Sequence, residues 1–153
     1  MSKPSERLKE LGITLPSLNK PVGAYVPAVR HGDTLFLSGQ IPFRDGKLAY
    51  EGNAGLDRTL DEAKDAARIC ALNAIAAAAD AAGGIDNLAR VLKVVVYVAS
   101  HEGFNEQSKV ANGASDLLVE IFGENGRHAR AAVGVAELPL NATAEVDIMF
   151  AVK

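Results

Sequence analysis

Apolar positions along this chain change their period at almost every punctuation residue, and each period predicts an element. Residues 4–11 carry an amphipathic helical spacing, with Pro4 near the start and Gly12 just past the end, the asymmetry that helix termini favour. An extended stretch over residues 23–30 runs into the turn signal His31-Gly32-Asp33 and then into the strand-length run Thr34-Leu35-Phe36-Leu37-Ser38, which together predict a β-hairpin. Pro42, Asp45 and Gly46 break the chain next, and residues 47–50 predict a short edge strand.

Thr59-Leu60-Asp61-Glu62 has capping-box spacing, with Thr59 as N-cap and Glu62 reaching back to it. From there Leu60, Ala63, Ala67, Cys70, Ala74, Ala77 and Ala81 recur at helical spacing until Gly83-Gly84. An alanine-rich stripe of this kind lets a helix lie close to a sheet. Residues 91–100 alternate as a strand, with Leu92, Val94, Val96 and Val98 on one face. A second long helix is predicted over residues 106–122, followed by strands over 130–138 and 143–152 that Pro139 and Asn141 would join as an antiparallel hairpin.

The order β-β-α-β-α-β-β predicts an α/β fold of the α+β two-layer kind, a mixed sheet with two helices on one face. In the last strand Ala144, Val146, Ile148 and Phe150 suit the helices, which turns Glu145, Asp147 and Met149 outward; in the strand before it Val133 and Val135 are expected inward and Arg130, Ala132 and Gly134 outward. No helix remains to cover that half-apolar outer face, so another subunit is expected to cover it.

Composition narrows the class. A chain of 153 residues, 48% hydrophobic and 23% charged, fits one domain with a core that needs no disulfide or structural metal. The single cysteine, Cys70, excludes an intrachain disulfide and points to a reducing, cytoplasmic setting. Sixteen basic against nineteen acidic residues, a net charge of −3, disfavour a nucleic-acid partner. The charge-alternating N-terminus does not resemble a secretory signal, and the longest apolar run, residues 69–79, is interrupted by Asn73 and too short to span a bilayer, so no membrane partner is expected.

Among candidate chemistries, His101-Glu102 lacks the second histidine of a zinc-protease helix, and Cys70 on its alanine stripe reads as a small buried hydrophobe. Of the three histidines, His128 has the best case for a role, because it lies between Arg127 and Arg130. Arg130 and Glu145 are the pair of interest. A guanidinium and a carboxylate sharing a small-residue cavity would bind a carboxylate substrate bidentately while activating a water; the same two residues would also serve as a structural ion pair at a subunit interface.

Three segments carry a resemblance: Gly23-Ala24-Tyr25, Leu37-Ser38-Gly39-Gln40-Ile41-Pro42, and Arg130-Ala131-Ala132-Val133 through Leu138-Pro139 to Glu145. Together they resemble the RidA family, reactive intermediate deaminase A, also called YjgF, over residues 22–152, with residues 1–21 as an N-terminal helical extension. The resemblance implies a chorismate-mutase-like fold assembled as a homotrimer with three inter-subunit clefts. It implies cofactor-free and metal-free hydrolysis of reactive enamines and imines, such as 2-aminoacrylate and 2-imino acids. By position, Arg130 matches the arginine that grips the substrate carboxylate, and Glu145 the glutamate that positions the attacking water. Tyr25 matches a tyrosine at the cleft, Ser38 and Gly39 match its backbone lining, and Asn112 a further binding position.

Ala131 and Ala132 stand where deaminating members often carry Ser or Thr and Cys, and the longer stretches 111–116 and 126–130 resemble a longer branch of the family. Two alternatives therefore accompany the deaminase reading. One is a trimeric protein that binds a small carboxylate without turning it over; the other is the endoribonuclease activity attached to family names, against which the acidic composition argues.

Overall fold

In the computed structural model, residues 2–18 and 23–153 are described, and the expected boundary between residues 21 and 22 lies outside them. Helix α1 spans Pro4–Glu10, α2 spans Leu60–Ala82 and α3 spans Gln107–Phe122. The capping box forms as spaced: the Glu62 amide donates to Thr59 Oγ1 at 3.1 Å and the Thr59 amide to Glu62 Oε1 at 3.0 Å. Gly83, at φ 78°, ends α2 in the left-handed conformation that an L-residue adopts at a cost.

Among the described residues seven strands accompany the helices: β1 Ala28–His31, β2 Thr34–Leu37, β3 Phe43–Arg44, β4 Lys47–Leu48, β5 Leu88–Ala99, β6 Ala129–Val135 and β7 Ala144–Val152. The main sheet is five-stranded, ordered β1-β2-β7-β5-β6, with β5 parallel to β6 and antiparallel to β7. Helices α2 and α3 pack on one of its faces. Val94, Val96 and Val98 of β5 and Val146, Ile148 and Phe150 of β7 meet Ala67, Cys70 and Ala74 of α2 and Val110, Leu117 and Leu118 of α3, all fully or almost fully buried. The two-layer α+β arrangement, a mixed sheet with two helices on one face, is the one expected.

The topology corrects one expectation with consequences. β6 and β7 do not form a hairpin; β5 lies between them. The reason is that α3 carries the chain from the end of β5 back to its start, so β6 arrives parallel to β5, and the segment 136–143 must then cross to the far edge of β5 before β7 begins. This reverses the faces assigned to β6. Arg130 pairs with Val94, Ala132 with Val96 and Gly134 with Val98, so these three point toward the helices, while Ala131 and Val133 join Val95 and Tyr97 on the open face. Side chains alternate with a period of two, so one step of register inverts every assignment on a strand.

Smaller differences have local causes. β1 begins at Ala28 rather than at residue 23, because residues 23 and 24 bend. Phe43–Arg44 and Lys47–Leu48 form a hairpin of their own around Asp45 and Gly46, both at positive φ, which suits a tight two-residue turn. β5 starts three residues earlier than expected, and a register irregularity between Val91 and Lys93 takes Leu92 off the buried face.

Two contacts fix the layers. Leu8 of α1 is buried, the Ser5 amide and hydroxyl both donate to the Asp86 carboxylate at 2.9 and 2.6 Å, and Arg7 Nε donates to the Glu120 carbonyl at 3.0 Å, docking α1 on α3 and the 85–87 turn. Gly113 is where α3 crosses α2: a Cβ there would stand 2.0 Å from the Lys64 carbonyl oxygen. No helix among the described residues is long and apolar enough to cross a membrane.

Gly113→Ala is expected to force the helices apart and cost roughly 1–3 kcal/mol, the range for overpacking a tight core, and Thr59→Ala about 1 kcal/mol by loss of the cap. Urea unfolding of both variants beside the parent checks this; an unchanged midpoint for Gly113→Ala would show that the crossing is looser than described.

Candidate active site

Two clusters hold the residues singled out by sequence, and they lie on opposite faces of the sheet. The first is built from the segment after β2. Ser38 donates its hydroxyl to the Val26 carbonyl at 2.6 Å and its amide to the Pro27 carbonyl at 2.9 Å, tying the stretch that carries Tyr25 to the end of β2. Gln40 exchanges both backbone hydrogen bonds with Val146, at 2.9 Å each, which lays Gly39 against the neighbouring residue of β7, Glu145. A Cβ on Gly39 would stand 2.7 Å from Glu145 Oε2, so any larger residue there would displace this carboxylate from its present position. Tyr25 is 55% exposed. The ring packs over Gly23, where a Cβ would meet it at 3.2 Å.

Glu145 is half-buried on the open face, two residues from Asp147 on the same side of β7. Burial, and after it the Asp147 charge, raises the Glu145 carboxyl above its ordinary range; burial also raises Asp147. A carboxylate shifted this way is closer to the proton affinity that a general base at neutral pH needs.

The second cluster sits on the helix side of β6. Arg130 Nη1 donates to Asn112 Oδ1 at 2.7 Å and to Ser115 Oγ at 3.2 Å, both on α3. No described carboxylate forms an ion pair with Arg130; the four ion pairs join other residues. Nε and Nη2 donate to no described residue, which leaves an N–H edge and an unneutralised charge for an outside acceptor. Asn112 of α3 thus lies beside Arg130 on the helix side, whereas the sequence reading turns Arg130 away from the helices. Ser115 is the member that the sequence reading lacks; its i,i+3 spacing from Asn112 on one helix face is the signal that would have found it.

Within one chain, then, Gly39 and Glu145 come together, with Ser38 beside them tying down the stretch that carries Tyr25; Arg130 and Asn112 come together, and the two groups are separated by the sheet. An internal Arg130–Glu145 pair is excluded by the register, Arg130 matching Val94 on the helix side and Glu145 matching Tyr97 on the open side. That open face is unusually apolar: Val29 is 54%, Phe36 44% and Val133 40% exposed. Cys70 is fully buried, its thiol 3.5 Å from the Ala144 carbonyl and pushed well up by burial, so it is the inert hydrophobe expected.

A five-stranded mixed sheet with two helices on one face, and an Arg/Asn pair between its edge strand and α3, define a two-layer α+β protein, and comparison narrows this further. The family model described as "YjgF/chorismate_mutase-like, putative endoribonuclease" matches residues 5–152, and the chain belongs to this YjgF/RidA family. It is similar to Protein TCP17 of Trypanosoma cruzi, 47% identical over 93% of this chain and 89% of that protein. A 2-iminobutanoate/2-iminopropanoate deaminase of Dermatophagoides farinae is 31% identical over 88% of this chain and 91% of that one. The solved structure of a "putative endoribonuclease" from Shewanella oneidensis superposes with a TM-score of 0.95 at 36% identity, covering 99% of this chain and 100% of the other.

Asp147→Asn is expected to bring the Glu145 carboxyl back toward its ordinary range, because removing a like charge favours ionisation. An NMR titration of the Glu145 side-chain carboxyl in both proteins reads this directly, and an unmoved midpoint would assign the shift to burial alone.

Proposed function

We propose that the protein hydrolyses 2-imino acids, and the 2-aminoacrylate-type enamines that tautomerise to them, to 2-oxo acids and ammonia. The observation that carries the reading is the state of Arg130: it is held by two neutral side chains, paired with no described carboxylate, and has its Nε and Nη2 hydrogens unspent. A guanidinium so held is suited to a substrate carboxylate, which its planar fork meets bidentately. The deaminase from Dermatophagoides farinae supports the same substrate class.

The remaining chemistry asks little of the protein. An iminium or imine carbon is already electrophilic, so a fixed carboxylate and one oriented water supply most of what is needed. Glu145 accepts a proton from the water as its oxygen bonds to C2. In the carbinolamine formed from the iminium, Glu145 returns that proton to the amino nitrogen, the C–N bond breaks with its electron pair leaving on ammonia, and the hydroxyl proton passes to Glu145 and on to solvent as the C2=O bond forms. Tyr25, Ser38 and Gly39 line the cleft on the Glu145 side.

Because a single chain holds the two halves on opposite faces, the reading requires two copies, and we propose a homotrimer in which each cleft joins Glu145 of one protomer to Arg130 and Asn112 of the next. The exposed apolar open face supports such an assembly. The cytoplasm, where dehydratases of this substrate class would act, is the compartment that the single buried cysteine favours.

Arg130→Ala is expected to lower kcat/KM for an imine generated in situ by about 100-fold or more, through loss of a charge-assisted bidentate pair. Turnover that survives this substitution would sink the assignment; binding of 2-oxo acids with no turnover in the parent protein would mark a carboxylate-binding protein instead. A co-expressed mixture of Arg130→Ala and Glu145→Gln chains should recover about a quarter of parental activity, since each mixed trimer builds one intact cleft of three. No recovery would place both residues in clefts made by one chain.

With Glu145 as base, kcat/KM falls as pH drops through its raised pKa, because the protonated carboxyl cannot accept from water. Asp147→Asn should move that acid limb to lower pH. An unchanged limb in a pH–rate profile would separate the limb from Glu145.

A further inference from the structure

Arg130 is the end of a longer hydrogen-bond chain. Ser115 Oγ lies 2.9 Å from His128 Nε2, and His128 Nδ1 lies 2.6 Å from the Gly126 carbonyl oxygen. The directions of these bonds are fixed by what each group can do. A carbonyl only accepts, so Nδ1 carries the proton; in the neutral imidazole Nε2 then accepts, and Ser115 donates its hydroxyl hydrogen to it. A guanidinium only donates, so Ser115 Oγ accepts from Arg130 Nη1. The polarity runs one way, from Arg130 through Ser115 to His128, with a separate donor to Gly126.

The anchor of this chain is rigid. Gly126 is buried, and a Cβ there would stand 2.3 Å from the Leu118 carbonyl oxygen, so the 123–126 turn is pressed directly on the backbone of α3. His128 is thus aimed from a backbone that has no room to shift, and Ser115 projects from the same helix. Both hydrogens of Nη1 are spent, one on Asn112 and one on Ser115, which fixes the guanidinium plane and leaves the Nε–Nη2 edge as the one face open to a ligand.

We propose that Ser115 and His128 are positioning residues that set the orientation of the Arg130 fork for a planar carboxylate, so that the site selects ligands presenting a carboxylate side-on to the Nε–Nη2 edge. The inference rests on Arg130 being the substrate clamp. It assigns His128 a function that does not depend on contact with the ligand, and it separates the two serines near the site: Ser38 ties the Tyr25 segment, and Ser115 orients the arginine.

Substitutions that keep one arm of the imidazole and lose the other test this. His128→Asn keeps a donor near the position of Nδ1 for Gly126 and loses the reach to Ser115; His128→Gln places a polar atom near the position of Nε2. Affinity for 2-oxobutanoate, measured by calorimetry on the intact protein, does not depend on turnover, and steady-state kinetics with an in situ imine then divide KM from kcat. Ser115→Ala and His128→Asn are each expected to weaken 2-oxobutanoate binding and raise KM roughly fivefold, the loss of about one neutral hydrogen bond, with kcat nearly unchanged. His128→Gln should restore both values toward the parent.

Unchanged affinity and KM in Ser115→Ala and His128→Asn, with a lowered thermal midpoint, would overturn the proposal and leave these residues as a tie between α3 and β6. A fall in kcat with KM unmoved would overturn it equally. Arg130→Ala measured alongside distinguishes the two levels: lost affinity in Arg130→Ala but not in the other variants refutes the positioning role alone, and unaltered affinity in Arg130→Ala refutes the clamp and with it the positioning role.

Discussion

Strand β5 pairs along one edge with β6 and along the other with β7, and this double pairing decides where every polar group near the site can go. Its valines at 94, 96 and 98 are buried under the helices, so the residues opposite them on both neighbours must share that face. Arg130 is opposite Val94 and is drawn to the helix side; Glu145 is opposite Tyr97 and is drawn to the open side. Shifting either register by one residue would expose a row of core side chains, at about 1.5–3 kcal/mol for each valine or isoleucine that leaves the core. The separation of the two functional halves is thus enforced by the hydrophobic core.

Close backbone approaches then place the halves accurately. Gly113 lets α3 cross α2 at a distance no side chain would permit, which sets the height of Asn112 and Ser115 over β6. Gly126 presses the following turn on the same helix and aims His128, while Gly39 lets the Glu145 carboxylate lie against the backbone. None of these three glycines needs a positive φ; each is required by space rather than by conformation. In that respect they differ from Gly83 and Gly46, whose task is to turn the chain.

Much of the architecture was legible in the sequence, since the signals were local. The capping box at Thr59, the alanine stripe of α2 and the Gly32 turn each specify their own neighbourhood, and the motif segments led to the family. What failed was pairing. Residues 130–138 and 143–152 look like a hairpin because they are consecutive and joined by Pro139 and Asn141, and nothing within them records that β5 inserts between. The valines of β6 misled for a related reason: Val133 looks like a core residue, yet it belongs to an apolar face that the helices do not cover. Ser115 carries only the i,i+3 spacing from Asn112 as a mark, and that spacing gains meaning once the β5–β6 pairing turns Arg130 toward α3.

Cys70 is the chain's only cysteine, and its thiol is sealed beneath the sheet with no access to water. On the proposed reading the substrates are electrophiles, and a thiolate near the cleft would be an obvious target for alkylation or oxidation. With Ala131 and Ala132 beside Arg130 and its cysteine held in the core, the protein presents no thiol to such molecules. On the proposed reading it should therefore pass many turnovers without alkylation of a thiol.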